Sequence, residues 1–145
     1  MGELAALVDV RTAEEQAVSR IPASIPWEEF VDRKKEFITE SEGSAGPKVC
    51  LYCTIGYRSS KAAEKLRKEG IDAMNLSGSI LAWTHEGFPL VTQDEDTGSE
   101  ISTKRLHVYG KQWALQADGY DPVYFQWPML KAAGSLIESW FTSAG

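Results

Sequence analysis

Cys53 and Arg58 flank the four residues Thr54, Ile55, Gly56 and Tyr57 in the stretch LYCTIGYRSSKAAEKLRKEG, which runs from Leu51 to Gly70. A thiol is a weak nucleophile until it ionises, and a guanidinium, the amides of a tight turn and the positive end of a helix all favour its thiolate. An apolar run precedes the cysteine, a glycine sits in the turn, and helix-forming residues follow. A free cysteine titrates near ~8.5, and such surroundings bring it below neutrality, where it attacks as the thiolate. Gly56 can take positive φ, which lets successive amides point into one concave cradle for an anion with a transferable group. The bland alternative is a small apolar residue that ends a strand. That alternative is the better reading for Cys50, inside the apolar run, because a redox Cys-x-x-Cys pair would open the helix rather than precede the turn.

The rest of the chain must supply the elements that hold this thiol. ALVDV (6–10) reads as a buried strand, and Thr12 and Glu15 after it have capping-box spacing for a short helix. PWEEFVDRKKEFITE places Trp27, Phe30, Val31, Phe37 and Ile38 on one helical face, with Pro26 suited to the first turn. SEGSAGP (41–47) is a loop and KVCLYC (48–53) a second buried strand. SSKAAEKLRKEG predicts a helix with Ser59 or Ser60 near its cap and Gly70 as terminator. IDAMNL (71–76) is a third strand and SILAWTHEG a short helix that ends at Gly87. Strands that alternate with helices imply an α/β layer with a mostly parallel sheet.

Composition narrows the function classes. At 145 residues, 43% hydrophobic, the chain is sized for one compact domain. A net charge of −6 opposes broad contact with nucleic-acid phosphates. No apolar run approaches the roughly 20 residues of a membrane span, and MGELAALVDVR lacks the features of a signal peptide. Two cysteines make no disulfide framework, which suits a reducing, cytoplasmic setting. His85 and His107 have no spaced partner, and no His/Cys/Asp cluster has metal-ligand spacing. TQDEDTGSE (92–100) is acidic and reads as a linker or exposed loop; beyond it, residues 101–145 include a possible strand, KRLHVYG, and a helical run with Leu130, Ala133, Ile137, Trp140 and Phe141 on one side.

Four ordered blocks, LVDVRTAEEQ (7–16), RIPASI (20–25), YCTIGYRSSKAAEKL (52–66) and NLSGSILAWTHEGFPL (75–90), resemble the rhodanese-like sulfurtransferases. The resemblance implies a three-layer α/β fold with a mostly parallel central sheet flanked by helices, its catalytic region spanning residues 1–91. It implies that Cys53 accepts a sulfane sulfur as a persulfide and that Thr54, Ile55, Gly56, Tyr57 and Arg58 form the substrate loop, with Asp9, Arg11 and Ser59 behind it. Asp9 and Arg11 match the family's D-x-R and read as architectural ties rather than chemistry; Trp83 matches its A-W and reads as core packing. Tyr57 is a candidate for covering one side of the cradle. The family resemblance implies a small anionic sulfur donor such as thiosulfate, a thiol or cyanide acceptor, a sulfur-relay protein as a possible partner, and no cofactor, nucleic acid or membrane.

Two rivals keep the same fold: a non-catalytic binding or regulatory module, and an arsenate reductase or phosphatase that uses the same thiolate. The four-residue gap between Cys53 and Arg58 is shorter than that of the tyrosine phosphatases and suits a sulfur-sized group. The chain departs from the family in three places. Arg20 stands where histidine is usual, Ala23 where glycine is usual, and only six residues precede Leu7, where relatives have a further strand and helix. The expectation is therefore that KRLHVYG (104–110) fills an open sheet edge, with the helix around Leu130–Phe141 covering the sheet.

Overall fold

The structure is a computed structural model that describes residues 3–39 and 46–125. Its centre is a four-stranded, wholly parallel sheet in the order β2-β1-β3-β4, formed by β1 (Leu4–Asp9), β2 (Ile25–Pro26), β3 (Lys48–Tyr52) and β4 (Asp72–Asn75). Side chains alternate across a strand, so each strand feeds two cores. Val8, Val10, Val49, Leu51 and Cys53 join Phe30, Phe37, Ala62, Ala63 and Leu66 on one face. Tyr52 and Leu7 join Ile21, Ile80, Leu81 and Leu90 on the other. Residues on the helices α2 (Trp27–Asp32) and α3 (Tyr57–Lys68) thus cover one side, and α4 (Ser79–His85) the other, which is the expected three-layer arrangement.

Local sequence explains most of these elements. The helix α1 (Ala13–Val18) starts at Thr12 with both halves of the expected capping box present: Thr12 Oγ1 accepts from the Glu15 amide and the Glu15 carboxylate accepts from the Thr12 amide. The long amphipathic helix expected over 27–38 is instead α2 followed by a 3-10 turn at Lys34–Phe37. Arg33 leaves the helical region (φ −102, ψ 5), and the chain turns so that Ile38 bridges Ile71, the residue before β4. Tertiary pairing here overrides a continuous helical pattern. Helix α3 begins earlier than the serines suggest: Gly56 is its N-cap, and Ser60 Oγ donates back to the Tyr57 carbonyl. Arg58 and Ser59 consequently lie in the first helical turn rather than on the loop.

The acidic stretch 92–100 is divided. Thr92 and Gln93 complete β5 (Leu90–Gln93), Glu100 opens β6 (Glu100–Thr103), and the two strands pair antiparallel around an exposed turn held by Asp94 Oδ1, which accepts from the Asp96 and Thr97 amides. Arg20, where the family has histidine, ties this hairpin down through a backbone bridge to Val91 and an ion pair with Glu100 at 2.7 Å.

The segment KRLHVYG does not fill an edge of the central sheet. Its β7 (Arg105–His107) pairs in parallel with β8 (Asp121–Val123) in a separate two-stranded sheet. The reason is its apolar pattern: Leu106 and Val108 are fully buried against Ile80, Leu81, Leu90 and Tyr52, so the segment covers a face instead of extending an edge. Each such side chain contributes about 1.5–3 kcal/mol of burial. The helix expected around Leu130–Phe141 lies outside the described residues.

Candidate active site

Strand β3 runs into the interior and ends at Tyr52, so the next residue, Cys53, emerges at the C-terminal edge of the sheet, where ligands of open α/β sheets bind. The chain then turns back through Thr54, Ile55 and Gly56 into α3. Gly56 makes that turn at φ 113, and a side chain there would be strained by this φ while crowding Asn75 Nδ2 at 3.3 Å. In return its amide points at the thiol: Gly56 N donates to Cys53 Sγ at 3.1 Å. Ser59 Oγ lies 3.4 Å from the sulfur, and Ser79 Oγ 4.0 Å away. Burial would by itself hold the thiol's pKa up, but the Arg58 charge, the Ser59 hydroxyl and the Ser59 and Gly56 amides outweigh it, and the pKa falls below the ordinary thiol value. For Cys50, burial acts without such groups and pushes the thiol up.

Arg58 is held in place by a residue that the sequence reading used only as a helix cap. Glu15 is fully buried, and its carboxylate takes two parallel bonds from the guanidinium, Nη1 to Oε2 and Nη2 to Oε1, both at 2.8 Å. Thr54 Oγ1 completes the clasp, accepting from Arg58 Nη2 at 2.9 Å. Burial would raise the Glu15 carboxyl, but the hydrogen bonds and charge of Arg58, with Arg11 and the Thr12 amide, bring it down to about 2. The guanidinium therefore acts on Cys53 as a fixed, partly compensated charge. The capping box accounts for Glu15 locally; its partner 43 residues away leaves no local signal.

Two further residues escaped the sequence reading. Ser79, at the start of α4 with φ 50, accepts the Cys53 amide at 3.1 Å and donates to the Leu76 carbonyl. The next two amides, Ile80 and Leu81, donate to the carbonyls of Cys53 and Thr54, so the N-terminus of α4 grips the loop from behind. Asn75 at the end of β4 takes a 2.5 Å bond from Ser59 Oγ.

The remaining expected residues divide by role. Asp9 and Arg11 form a buried bidentate pair that also receives the Tyr52 hydroxyl (2.7 Å to Asp9 Oδ2) and reaches the Ser19 carbonyl, and no hydrogen bond joins them to the Cys53 sulfur. Trp83 packs on Phe88 and donates to the Pro89 carbonyl, in line with a core role. His85 Nε2 lies 2.8 Å from the Leu115 carbonyl, while burial brings His107 down to about 4 and its Nδ1 accepts the Tyr109 amide.

A cavity of about 310 Å³ opens over the thiol, lined by Cys53, Thr54, Ile55, Tyr57 and Arg58 and, from the segment after β7, by Tyr109 and Trp113. Tyr57 is 65% exposed and is among the residues that line this cavity. Tyr109 lays its ring over the Arg58 guanidinium, 5.3 Å from the carbon to the centroid. It does so from a left-handed backbone, φ 70, which costs a non-glycine residue roughly 1–2 kcal/mol. The bond to His107, the Phe125 amide on the Tyr109 carbonyl and an edge contact with the Phe125 ring at 5.3 Å hold it there. Among the described residues no group of His, Cys, Asp and Glu could hold a metal ion, and no helix is long and apolar enough to cross a membrane.

A parallel α/β sheet with a thiol of lowered pKa in a tight strand-to-helix turn defines the class: a cysteine-loop α/β fold. The rhodanese-like domain model matches residues 1–86, and the chain belongs to that family. A sulfurtransferase from Allochromatium vinosum is 33% identical over 91 residues, 61% of this chain and 79% of the relative. The adenylyltransferase and sulfurtransferase UBA4 of Yarrowia lipolytica is 35% identical over 89 residues, 58% of this chain but 22% of that much longer protein. Among solved structures, a rhodanese-like domain protein from Staphylococcus aureus is 29% identical with a TM-score of 0.49, covering 65% of this chain and 85% of that one. The family and the two curated relatives, both with sulfurtransferase in their names, support a sulfurtransferase class in general.

Proposed function

We propose that the chain is a sulfurtransferase that carries sulfur as a persulfide on Cys53. The observation that carries this reading is the Gly56 amide donating to the Cys53 sulfur at 3.1 Å, with the Ser59 hydroxyl, shared between the sulfur at 3.4 Å and Asn75, and the Arg58 charge nearby. Such groups stabilise a thiolate, and they serve equally a terminal persulfide anion that projects from it. With thiosulfate as donor, the Cys53 thiolate attacks the outer sulfur, a new S–S bond forms, the old one breaks, and sulfite leaves with the electron pair. A thiolate or cyanide acceptor then attacks the terminal sulfur and releases the Cys53 thiolate. Arg58, Thr54 and Glu15 fix the electrostatics, while Ser59, Ser79 and Asn75 position the loop. The acidic chain, at net charge −6, suits a basic sulfur-relay protein as partner, and a reducing compartment such as the cytoplasm would keep both thiols free.

Intact mass before and after incubation with a sulfane-sulfur donor tests the reading. Gain of one sulfur atom, lost in Cys53→Ser and kept in Cys50→Ser, is the expected result. A folded protein that gains none from thiosulfate, mercaptopyruvate or an organic persulfide is no sulfur carrier, and turnover of an aryl phosphate would then identify it as a phosphatase.

A further inference from the structure

We infer that the Cys53 pocket selects a persulfide borne on a small, uncharged apolar group over the thiosulfate dianion, and that Tyr109 and Trp113 are the residues that set this preference. The inference rests on the sulfur-transfer reading and names the donor class for that same site.

Charge is the first argument. Among the described residues that line the cavity Arg58 is the one cation, and Glu15 answers it with a buried bidentate carboxylate. The next buried cation, Arg11, is answered likewise by Asp9. A dianion that approaches the Cys53 thiolate therefore meets like charge with little net positive charge to offset it. Tyr109 adds to this by stacking on the guanidinium, whose Nη1 and Nη2 donors are already engaged by Glu15 and Thr54.

The shape of the wall is the second argument. Ile55, Tyr57, Tyr109 and Trp113 supply the outer lining, and such surfaces reward an apolar or aromatic substituent and leave a hydrated anion unsatisfied. A volume of about 310 Å³ lies at the small end of ligand pockets, which run roughly 300–1,000 Å³, and suits a single ring or short chain beside the reacting sulfur. Two of the four wall residues come from the segment after β7, and one of them keeps a strained backbone to stay on Arg58. Strain held in place by surrounding bonds is a mark of functional sites. Trp113, in the 3-10 turn Lys111–Trp113, is 36% exposed and stands at the mouth.

The step balances without a further reactant. The Cys53 thiolate attacks the outer sulfur of R–S–SH, the Cys53–sulfur bond forms as the R–S–S bond breaks, and RS⁻ leaves with the electron pair while the proton stays on the transferred sulfur. The apolar R group remains in the aromatic pocket until RS⁻ departs.

The test measures loading of the full chain by intact mass over time with thiosulfate, benzyl persulfide and benzyl persulfide bearing a ring carboxylate. Each rate is divided by that of the same donor with free N-acetylcysteine, which removes intrinsic reactivity. Benzyl persulfide should exceed thiosulfate by at least about tenfold, with the carboxylate analogue between them. Trp113→Ala should lower the benzyl-to-thiosulfate ratio by about tenfold, and Trp113→Arg should lower it further. A normalised thiosulfate rate equal to or above the benzyl rate overturns the inference while leaving sulfur transfer intact, as does a ratio that Trp113→Ala leaves unchanged. If the variant does not fold, the wild-type ratio decides alone. Failure of every donor to load Cys53 overturns the sulfur-transfer reading itself, and the inference with it.

Discussion

Cys50 lies within β3 and Cys53 just beyond its end, three positions apart in the sequence and both buried. Strand alternation puts them on opposite faces: Cys53 joins the core beneath α3, and Cys50 points with Tyr52 towards the other side. Burial acts on both thiols in the same sense, towards the neutral form. What separates them is the presence, at Cys53 alone, of a helix start, a glycine amide, two serine hydroxyls and a guanidinium. The thiolate is favoured at the end of the strand, where backbone donors are no longer committed to the sheet ladder.

The contrast can be broken most severely by exchange of the sulfur itself. Cys53→Ser should abolish persulfide formation entirely, while Cys50→Ser should retain it, as read by intact mass. Arg58→Gln comes next. It leaves Glu15 buried without its ion-pair partner, so urea unfolding should show a loss of about 3–5 kcal/mol, and the pH midpoint of iodoacetamide alkylation at Cys53 should rise.

The acid limb should report the same clasp. Glu15 has an ordinary value of 4.5 and a folded value of about 2, so its contribution is complete above pH 4.5 and disappears as pH falls towards 2. The loss is on the order of 3 kcal/mol, and it should be missing from the pH–stability curve of Glu15→Gln. The alkaline limb should separate the two thiols by sign. A lowered thiol such as Cys53 stabilises the fold as pH rises through its folded value to the unfolded one, whereas a raised thiol such as Cys50 destabilises it once pH passes the unfolded value. Cys53→Ser should therefore remove a gain, and Cys50→Ser a loss, in chemical denaturation across that range. The smallest effect is expected from Ser59→Ala, which removes a hydroxyl whose single proton is shared between Asn75 Oδ1 and the sulfur. At about 0.5–1.5 kcal/mol for such a bond, the alkylation midpoint should move up by no more than about one pH unit.

The elements that were legible before the structure are those whose signals are short-range. The capping box of α1, the strand at 48–52 and the turn at Gly56 each depend on residues within a few positions of one another, and each is found where local chemistry requires it. The errors have one cause. The helix over 27–38 breaks because Ile38 leaves to meet Ile71, and the segment 104–110 covers a face because Leu106 and Val108 find partners scattered from Ile21 to Leu90. Periodicity shows that a segment has an apolar side, but not what that side will meet.

By itself the sequence determined the candidate pair and its spacing, Cys53 with Arg58 across a glycine turn, because strand, turn and helix follow one another directly in the chain. Only the tertiary structure decided what surrounds that pair. Parallel strands β1, β3 and β4 bring their C-terminal ends to one edge, and the segments that leave them deliver Glu15, Cys53 and Asn75 with Ser79 to the same place. Tyr109 and Trp113 arrive there from the connection between β7 and β8, which is anchored by the burial of Leu106 and Val108 that no local pattern encodes.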